Sequence, residues 1–233
     1  MYENDYYSRP AQSVTSMVTG AMKRVYFKMT LALIVTALTA MWASSSAGFI
    51  NFYITHSWLM WVLVIAEFGL VLGISGAINR LSSAAASGLF YLFAVVNGLM
   101  LSTIFLVYSP TAIAKTFFIT AGTFGAMSIY GYFTQNDLSK IGSYLFMALI
   151  GLIIASLVNI FVHSSTLDWI VSIAGVLIFV GLTAWDTQQV KRMAEIAPAE
   201  AIGKLATVGA LSLYLDFINL FLYLLRIFGN SDR

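Results

Sequence analysis

The sequence predicts an all-α integral membrane protein with seven transmembrane helices. Three observations carry that prediction. Only 9% of the 233 residues are charged, 60% are hydrophobic, and the mean hydropathy is +0.86; a water-soluble domain carries roughly 25% charged residues. The apolar residues fall in runs of about 20, the length that crosses a bilayer core as a helix, and not in the alternating pattern of a transmembrane barrel. The three prolines, Pro10, Pro110 and Pro198, lie between the runs, so none kinks a span. Helices follow because each satisfies its own backbone groups where no water can.

Taken in order, residues 1–24 are polar, with several Tyr and Ser, and are expected to form a flexible cytoplasmic tail; the transmembrane domain should occupy 25–229 and a short tail 230–233. Spans are expected at roughly 26–47, 59–79, 86–108, 112–133, 141–162, 169–190 and 205–228. The first run is too long for the apolar segment of a cleavable signal and lacks a convincing cleavage site. Connections are short except for the loop from Lys191 to Lys204. On span two, Gly69, Gly73, Gly76 and Arg80 share one face, a small-residue ridge expected to admit a neighbouring backbone. On span seven, Gly209, Ser212, Asp216, Leu220 and Tyr223 share a stripe with Asn219 at its edge, since residues three and four apart lie on one face. A polar stripe on an otherwise apolar helix reads as the wall of an internal path, or else as hydrogen-bonding glue between helices.

Basic residues set the direction of insertion. With the N-terminus cytoplasmic, that side holds Arg9, Lys23, Arg24, Lys28, Arg80, Lys140, Lys191, Arg192 and Lys204, against Lys115, Arg226 and Arg233 outside. Nine against three places the C-terminus outside. Trp42, Trp58, Trp61 and Trp169 then fall near outer ends and Trp185 near an inner end, as interfacial aromatics do. The absence of cysteine excludes disulfides, thiolate metal sites and a cysteine nucleophile. The net charge of +2 is too small to argue for nucleic acid. No phosphate-binding loop, haem motif or zinc cluster is present, so no tightly bound cofactor is expected.

Ionisable groups inside a span are costly and usually face a bundle interior or a wet cavity. Three acids qualify. Glu67 falls near the middle of span two. Asp216 is placed about 16 Å into span seven, and Asp186 about 7 Å into span six, at 1.5 Å per residue. Arg80 closes the inner end of span two and is the natural partner of Asp186, unless it merely snorkels to the interface. Burial and like charge both penalise a second ionisation, so two such aspartates would titrate as one unit. Their oxygens also suit a hard cation such as calcium. The difference in depth, roughly 9 Å, allows the pair to meet only if span seven starts deeper or the helices tilt.

The stretch Leu211-Ser212-Leu213-Tyr214-Leu215-Asp216-Phe217-Ile218-Asn219-Leu220-Phe221, followed by Leu224-Leu225-Arg226, resembles the last helix of the Bax inhibitor-1 family, also called the transmembrane Bax-inhibitor-motif family, in its bacterial form. Trp185-Asp186-Thr187-Gln188 is similar to the family's motif at the end of the sixth helix. The resemblance implies a fold whose C-terminal helix is central and wrapped by the other six. It implies a pH-sensitive calcium leak in the plasma (inner) membrane, with Asp186 and Asp216 as the proton sensor and candidate metal ligands, Arg80 as a basic latch, and Glu67 and Asp216 on the ion pathway. Its partners would be the lipid bilayer, calcium and protons, with no enzymatic activity. A regulator that binds another membrane protein, such as a membrane protease, is an alternative, with the tail and the inner loop as contact surfaces. An intramembrane aspartyl protease would also place two aspartates on consecutive late helices, but no Gly-x-Gly-Asp precedes Phe217 and no Pro-Ala-Leu occurs in the last helix.

Overall fold

The computed structural model describes residues 11–229, with side chains from residue 14. Its helices are α1 (Ala11–Ser45), α2 (Ala47–Thr55), α3 (Trp58–Ala77), α4 (Ser83–Leu101), α5 (Ile104–Val107), α6 (Pro110–Phe133), α7 (Ser139–Val162), α8 (Ser165–Ile196) and α9 (Ile202–Phe228). They provide seven segments long and apolar enough to cross a membrane: α1, α3, α4 with α5, α6, α7, α8 and α9. Local chemistry places the starts. The hydroxyls of Ser46, Ser82, Ser109 and Ser164 each accept the backbone N–H three residues on, at the heads of α2, α4, α6 and α8, which satisfies an amide the helix leaves orphaned. Pro110 sits at the first position of α6, where its missing N–H costs nothing. His163, with φ of 53°, ends α7 in the left-handed region.

The ends carrying Lys23, Arg24, Arg80, Lys140, Lys191, Arg192 and Lys204 gather on one side of the bundle, called here the basic end. The C-terminal helix α9 is the axis. Two thirds of its apolar window (67%) is buried, against 6% for α7. It packs against α8, α1, α6 and α4, while α7 lies outside the ring and packs on α8. Leu213, Tyr214, Leu220 and Leu225 of α9 are fully enclosed, and the core continues into Phe90, Phe93, Val25 and Ile74. Phe118, Phe133, Phe161 and Leu177 point outward, as they must when the surrounding solvent is hydrocarbon.

Four expectations change. The polar tail does not extend to residue 24: α1 begins at Ala11, and Val18, Ala21 and Met22 are core residues, because apolar positions at helical spacing continue below the membrane run. Residues 1–10 and 230–233 lie outside the described residues. Second, α8 does not stop at residue 190. It runs to Ile196, with Val190 and Ala194 buried, so the long loop shrinks to a turn through Pro198 and a single 3-10 turn at Ala199–Ala201. Third, the third span is interrupted at Ser102 and Thr103 and resumes as the short α5. Fourth, the glycine ridge of α3 is unpacked. Built-in methyl groups at Gly69, Gly73 and Gly76 would meet nothing within 4 Å. Close backbone approach occurs instead where Gly131 of α6 lies on the Ala184 carbonyl of α8, and where Gly98 of α4 lies on Thr36 and Thr39 of α1.

Candidate functional site

The extension of α8 resolves the depth of Asp186. Ten residues separate it from Ile196, about 15 Å along the axis, and fourteen separate Asp216 from Ile202, about 21 Å. The remaining step is one helical turn, and it is bridged. Ser212, one turn below Asp216 on α9, donates its hydroxyl to Asp186 Oδ2 at 2.7 Å. Asp216 follows Ser212 by one turn on the same helix, so the two carboxyl groups stand on neighbouring turns of the α8–α9 contact. Asp216 is 4% exposed, and its Oδ2 is buried without a hydrogen-bond partner among the described residues.

Arg80 is not part of this arrangement. It lies in the turn beyond α3, exposed, and among the described residues the ion pairs are Arg192–Asp137 and Arg226–Asp168. The anticipated Arg80–Asp186 latch is therefore not formed: α3 ends at Ala77, and Arg80 is carried past the helix toward the membrane edge, whereas Asp186 sits more than two turns inside. The turn that holds Arg80 is tied to α9 by Lys204, whose Nζ donates to the Asn79 carbonyl at 3.1 Å.

The open face of α9 is also displaced from the expected one. Gly209, Asp216 and Leu220 are buried, and from Val208 to Tyr223 the half-exposed residues are Val208, Ser212, Leu215, Asn219, Leu222 and Tyr223, a stripe centred roughly 70° from the expected one at 100° per residue. This stripe faces the space between α3 and α8. Ser212 reaches α8 through Asp186, while Leu215, Asn219 and Leu222 line a cavity of about 520 Å³ with Glu67, Phe68 and Val71 of α3 and Asn97 of α4. The cavity exists because α3 leans on α4 and touches α9 only lightly.

Glu67 is thus half-buried on a cavity wall, away from the aspartates. Its Oε1 accepts the Asn97 amide at 2.7 Å, and Asn97 Oδ1 accepts the Tyr214 hydroxyl at 3.0 Å. Tyr214 Oη is 2.6 Å from Thr36 Oγ1, which donates to the Ala94 carbonyl at 2.9 Å. Near the opposite end of the bundle, burial and the Glu67 charge push the Tyr53 phenol of α2 above its ordinary value. Sequence reasoning missed Asn97, Tyr214 and Thr36. The available signal was Asn97 itself, an amide in the middle of an apolar span, whose burial demands partners.

A fourth intramembrane charge was counted only toward the bias of basic residues. Lys28 belongs to α1, and its Nζ donates to Ser87 Oγ of α4 and to Thr207 Oγ1 of α9, both at 2.6 Å, with the Gly203 carbonyl at 3.4 Å. At the basic end, α8 clamps the turn between α6 and α7. Gln188 accepts from Leu138 N at 2.9 Å and donates to the Asn136 carbonyl at 2.8 Å; Lys191 donates to the Tyr132 carbonyl at 2.8 Å. The backbone N–H of Ser139, the Ser139 hydroxyl and the Arg192 guanidinium pull the Asp137 carboxyl down to about 2. At the opposite end, Asp168 in the first turn of α8 pairs with Arg226 in the last turn of α9 at 3.6 Å, charges placed where the helix dipoles favour them.

Comparison with known proteins agrees with this architecture. The family described as "Inhibitor of apoptosis-promoting Bax1" matches residues 18–233. The chain is 49% identical over 212 residues to the inner membrane protein YbhL of Escherichia coli K12, covering 90% of this chain and 91% of that protein. It is 46% identical to an uncharacterized protein of Borreliella burgdorferi, over 89% of this chain and 90% of that one, and 44% identical to the uncharacterized protein RP147 of Rickettsia prowazekii, over 90% and 89%.

Proposed function

Because this chain belongs to the Bax inhibitor-1 family and is a multi-pass membrane protein, we propose that it is a passive, pH-sensitive leak for calcium and related cations. The observation that carries this reading is Asp216 Oδ2, buried deep in the bundle with no hydrogen-bond partner among the described residues, one turn above the serine that binds Asp186. A buried acceptor in that state takes up a proton or a cation. The pair titrates as one unit, and its charge sets whether a cation is held beside α9 or released from it. The half-open stripe of Ser212, Leu215 and Asn219 supplies the route, and Glu67 is the carboxylate that meets the ion farther along it. Calcium is a passing substrate of the path with the carboxylates of Asp186, Asp216 and Glu67 as successive oxygen ligands, no resident cofactor takes part, and no bond is made or broken.

The basic end faces the cytoplasm in this reading, by the bias of lysine and arginine, and the inner-membrane location follows that of YbhL. The test is calcium flux into dye-loaded proteoliposomes across pH. The parent should change its rate with pH, and Asp216→Asn, which keeps the shape but not the shared proton, should flatten that response. If Asp186→Asn and Asp216→Asn both leak like the parent at every pH, the aspartates are not the sensor.

A second reading draws on the same two residues. Two aspartates on neighbouring helices inside a membrane are also what an aspartyl protease requires, and one turn of difference in depth argues against it less than the sequence alone does. The missing Gly-x-Gly-Asp and Pro-Ala-Leu segments still do. Cleavage of a transmembrane substrate that disappears in Asp216→Asn would favour the protease over the leak.

A further inference from the structure

The two carboxylate oxygens of Glu67 are treated differently. Oε1 accepts from Asn97 Nδ2, while no hydrogen bond engages Oε2 among the described residues, and the residue lines the cavity between α3 and α9. The amide that holds Oε1 is itself held. Asn97 has one carbonyl and one amino group, and the Tyr214 hydroxyl at 3.0 Å occupies the carbonyl, so the amino group is the end that faces Glu67. Tyr214 in turn has little freedom. Its ring is fully buried and meets the edges of Phe90 and Phe93 at 5.7 and 5.6 Å, and its oxygen is 2.6 Å from Thr36. The result is a chain from α1 through α9 and α4 to α3 that ends on a single carboxylate oxygen.

From this we infer that Tyr214 and Asn97 are positioning residues for Glu67, fixing one oxygen so that the other is presented to a divalent cation in the cavity. The inference rests on the pathway reading of Glu67 and deepens it. Asn219 belongs to the same site. Its Nδ2 is engaged by the Leu215 carbonyl at 2.8 Å, which leaves its Oδ1 as a neutral oxygen on the wall that Glu67 shares. One carboxylate and neutral carbonyl oxygens form a weak set for a hard cation. A pathway needs such a set, because an ion must leave as readily as it enters. An unpinned carboxylate would have to be ordered by each arriving ion, and affinity would fall by that cost.

The test is calcium affinity measured calorimetrically on the purified protein in detergent, with proteoliposome flux in parallel. Tyr214→Phe keeps the ring between Phe90 and Phe93 and removes only the hydroxyl, so the fold is retained. It should weaken calcium binding about threefold, and Asn97→Ala, which removes the donor itself, roughly tenfold, the range of a hydrogen bond to a charged group. In a Glu67→Gln background, Tyr214→Phe should have no further effect, because coupled residues are not additive. The same loss in both backgrounds would make the hydroxyl a packing feature and overturn the inference, as would unchanged affinity in Tyr214→Phe. Glu67→Gln binding calcium like the parent would remove the carboxylate from the site, and the inference with it. A parent that binds calcium through Glu67 but conducts none would sink the leak and leave the positioning intact.

Discussion

Two glycines that look equivalent in the sequence should respond oppositely to one added methyl group. Gly131 of α6 lies against the Ala184 carbonyl of α8, so an alanine Cβ there collides with backbone that no rotamer change can move. Gly73 of α3 has open space around its Cα. Overpacking a close-fitting contact costs about 1–3 kcal/mol, and for a chain of this size each kcal/mol shifts the midpoint of thermal unfolding by about 2–4 °C. Gly131→Ala should therefore melt about 2 to 12 °C below the parent. Gly73→Ala should hold or gain, since glycine inside a helix is worth up to about 1 kcal/mol less than alanine. The assay is a thermal-shift measurement on detergent-solubilised protein, with Gly69→Ala and Gly98→Ala as a second matched pair. Gly131→Ala should also disturb the proton response, because Ala184 lies two residues before Asp186. The reasoning fails if Gly73→Ala and Gly131→Ala lose the same stability, which would mean that α3 packs through its glycine face after all.

Two further outcomes follow from charges near the basic end. The Asp137 carboxyl is held at about 2, below the ordinary carboxylate value, so its contribution to the turn between α6 and α7 is complete above that ordinary value and is lost as pH falls through about 2. Amide exchange at Ser139 should stay slow through pH 4 relative to Asp137→Ala, and equal protection in the two would refute the assignment. Lys28→Met removes the donor joining α1, α4 and α9 but leaves Ser87 and Thr207 3.3 Å apart. The fold should survive with a loss of about 1–3 kcal/mol, read as a lower melting point; an unchanged midpoint would show that the three bonds contribute nothing net.

Much of the architecture was legible because the bilayer writes it into composition. Seven runs of hydrocarbon-compatible length can only be seven helices, and the aspartates of spans six and seven stand out against them. Their separation was misjudged because hydropathy marks where lipid ends, not where a helix ends. Lys191 and Arg192 read as loop, yet they continue α8 by hydrogen-bonding the α6–α7 turn. The Gly69–Gly73–Gly76 ridge misled for a related reason. Small residues permit close packing but do not compel it, and the compelled contacts at Gly98 and Gly131 depend on which helices become neighbours. The Glu67 chain through Asn97 and Tyr214 was hidden because it joins three spans far apart in sequence, and Tyr214 was read only as part of a family motif. Arg80 failed with that ridge: it was placed on the same face, which is open, and α3 ends at Ala77 before reaching it.

The central position of α9 also has a consequence for biogenesis. Of the seven spans, the axis of the bundle is the last to leave the ribosome. At about 5–20 residues per second, the interval between completing α1 at Ser45 and completing α9 at Phe228 is on the order of 10 to 40 seconds. Lys28 waits through most of that time, and Asn97 and Asp186 from the completion of their own spans, without Thr207, Tyr214 or Ser212 to meet them. Nascent chains halted before residue 202 should therefore remain bound to insertion machinery or quality-control factors, and release should coincide with arrival of the final helix.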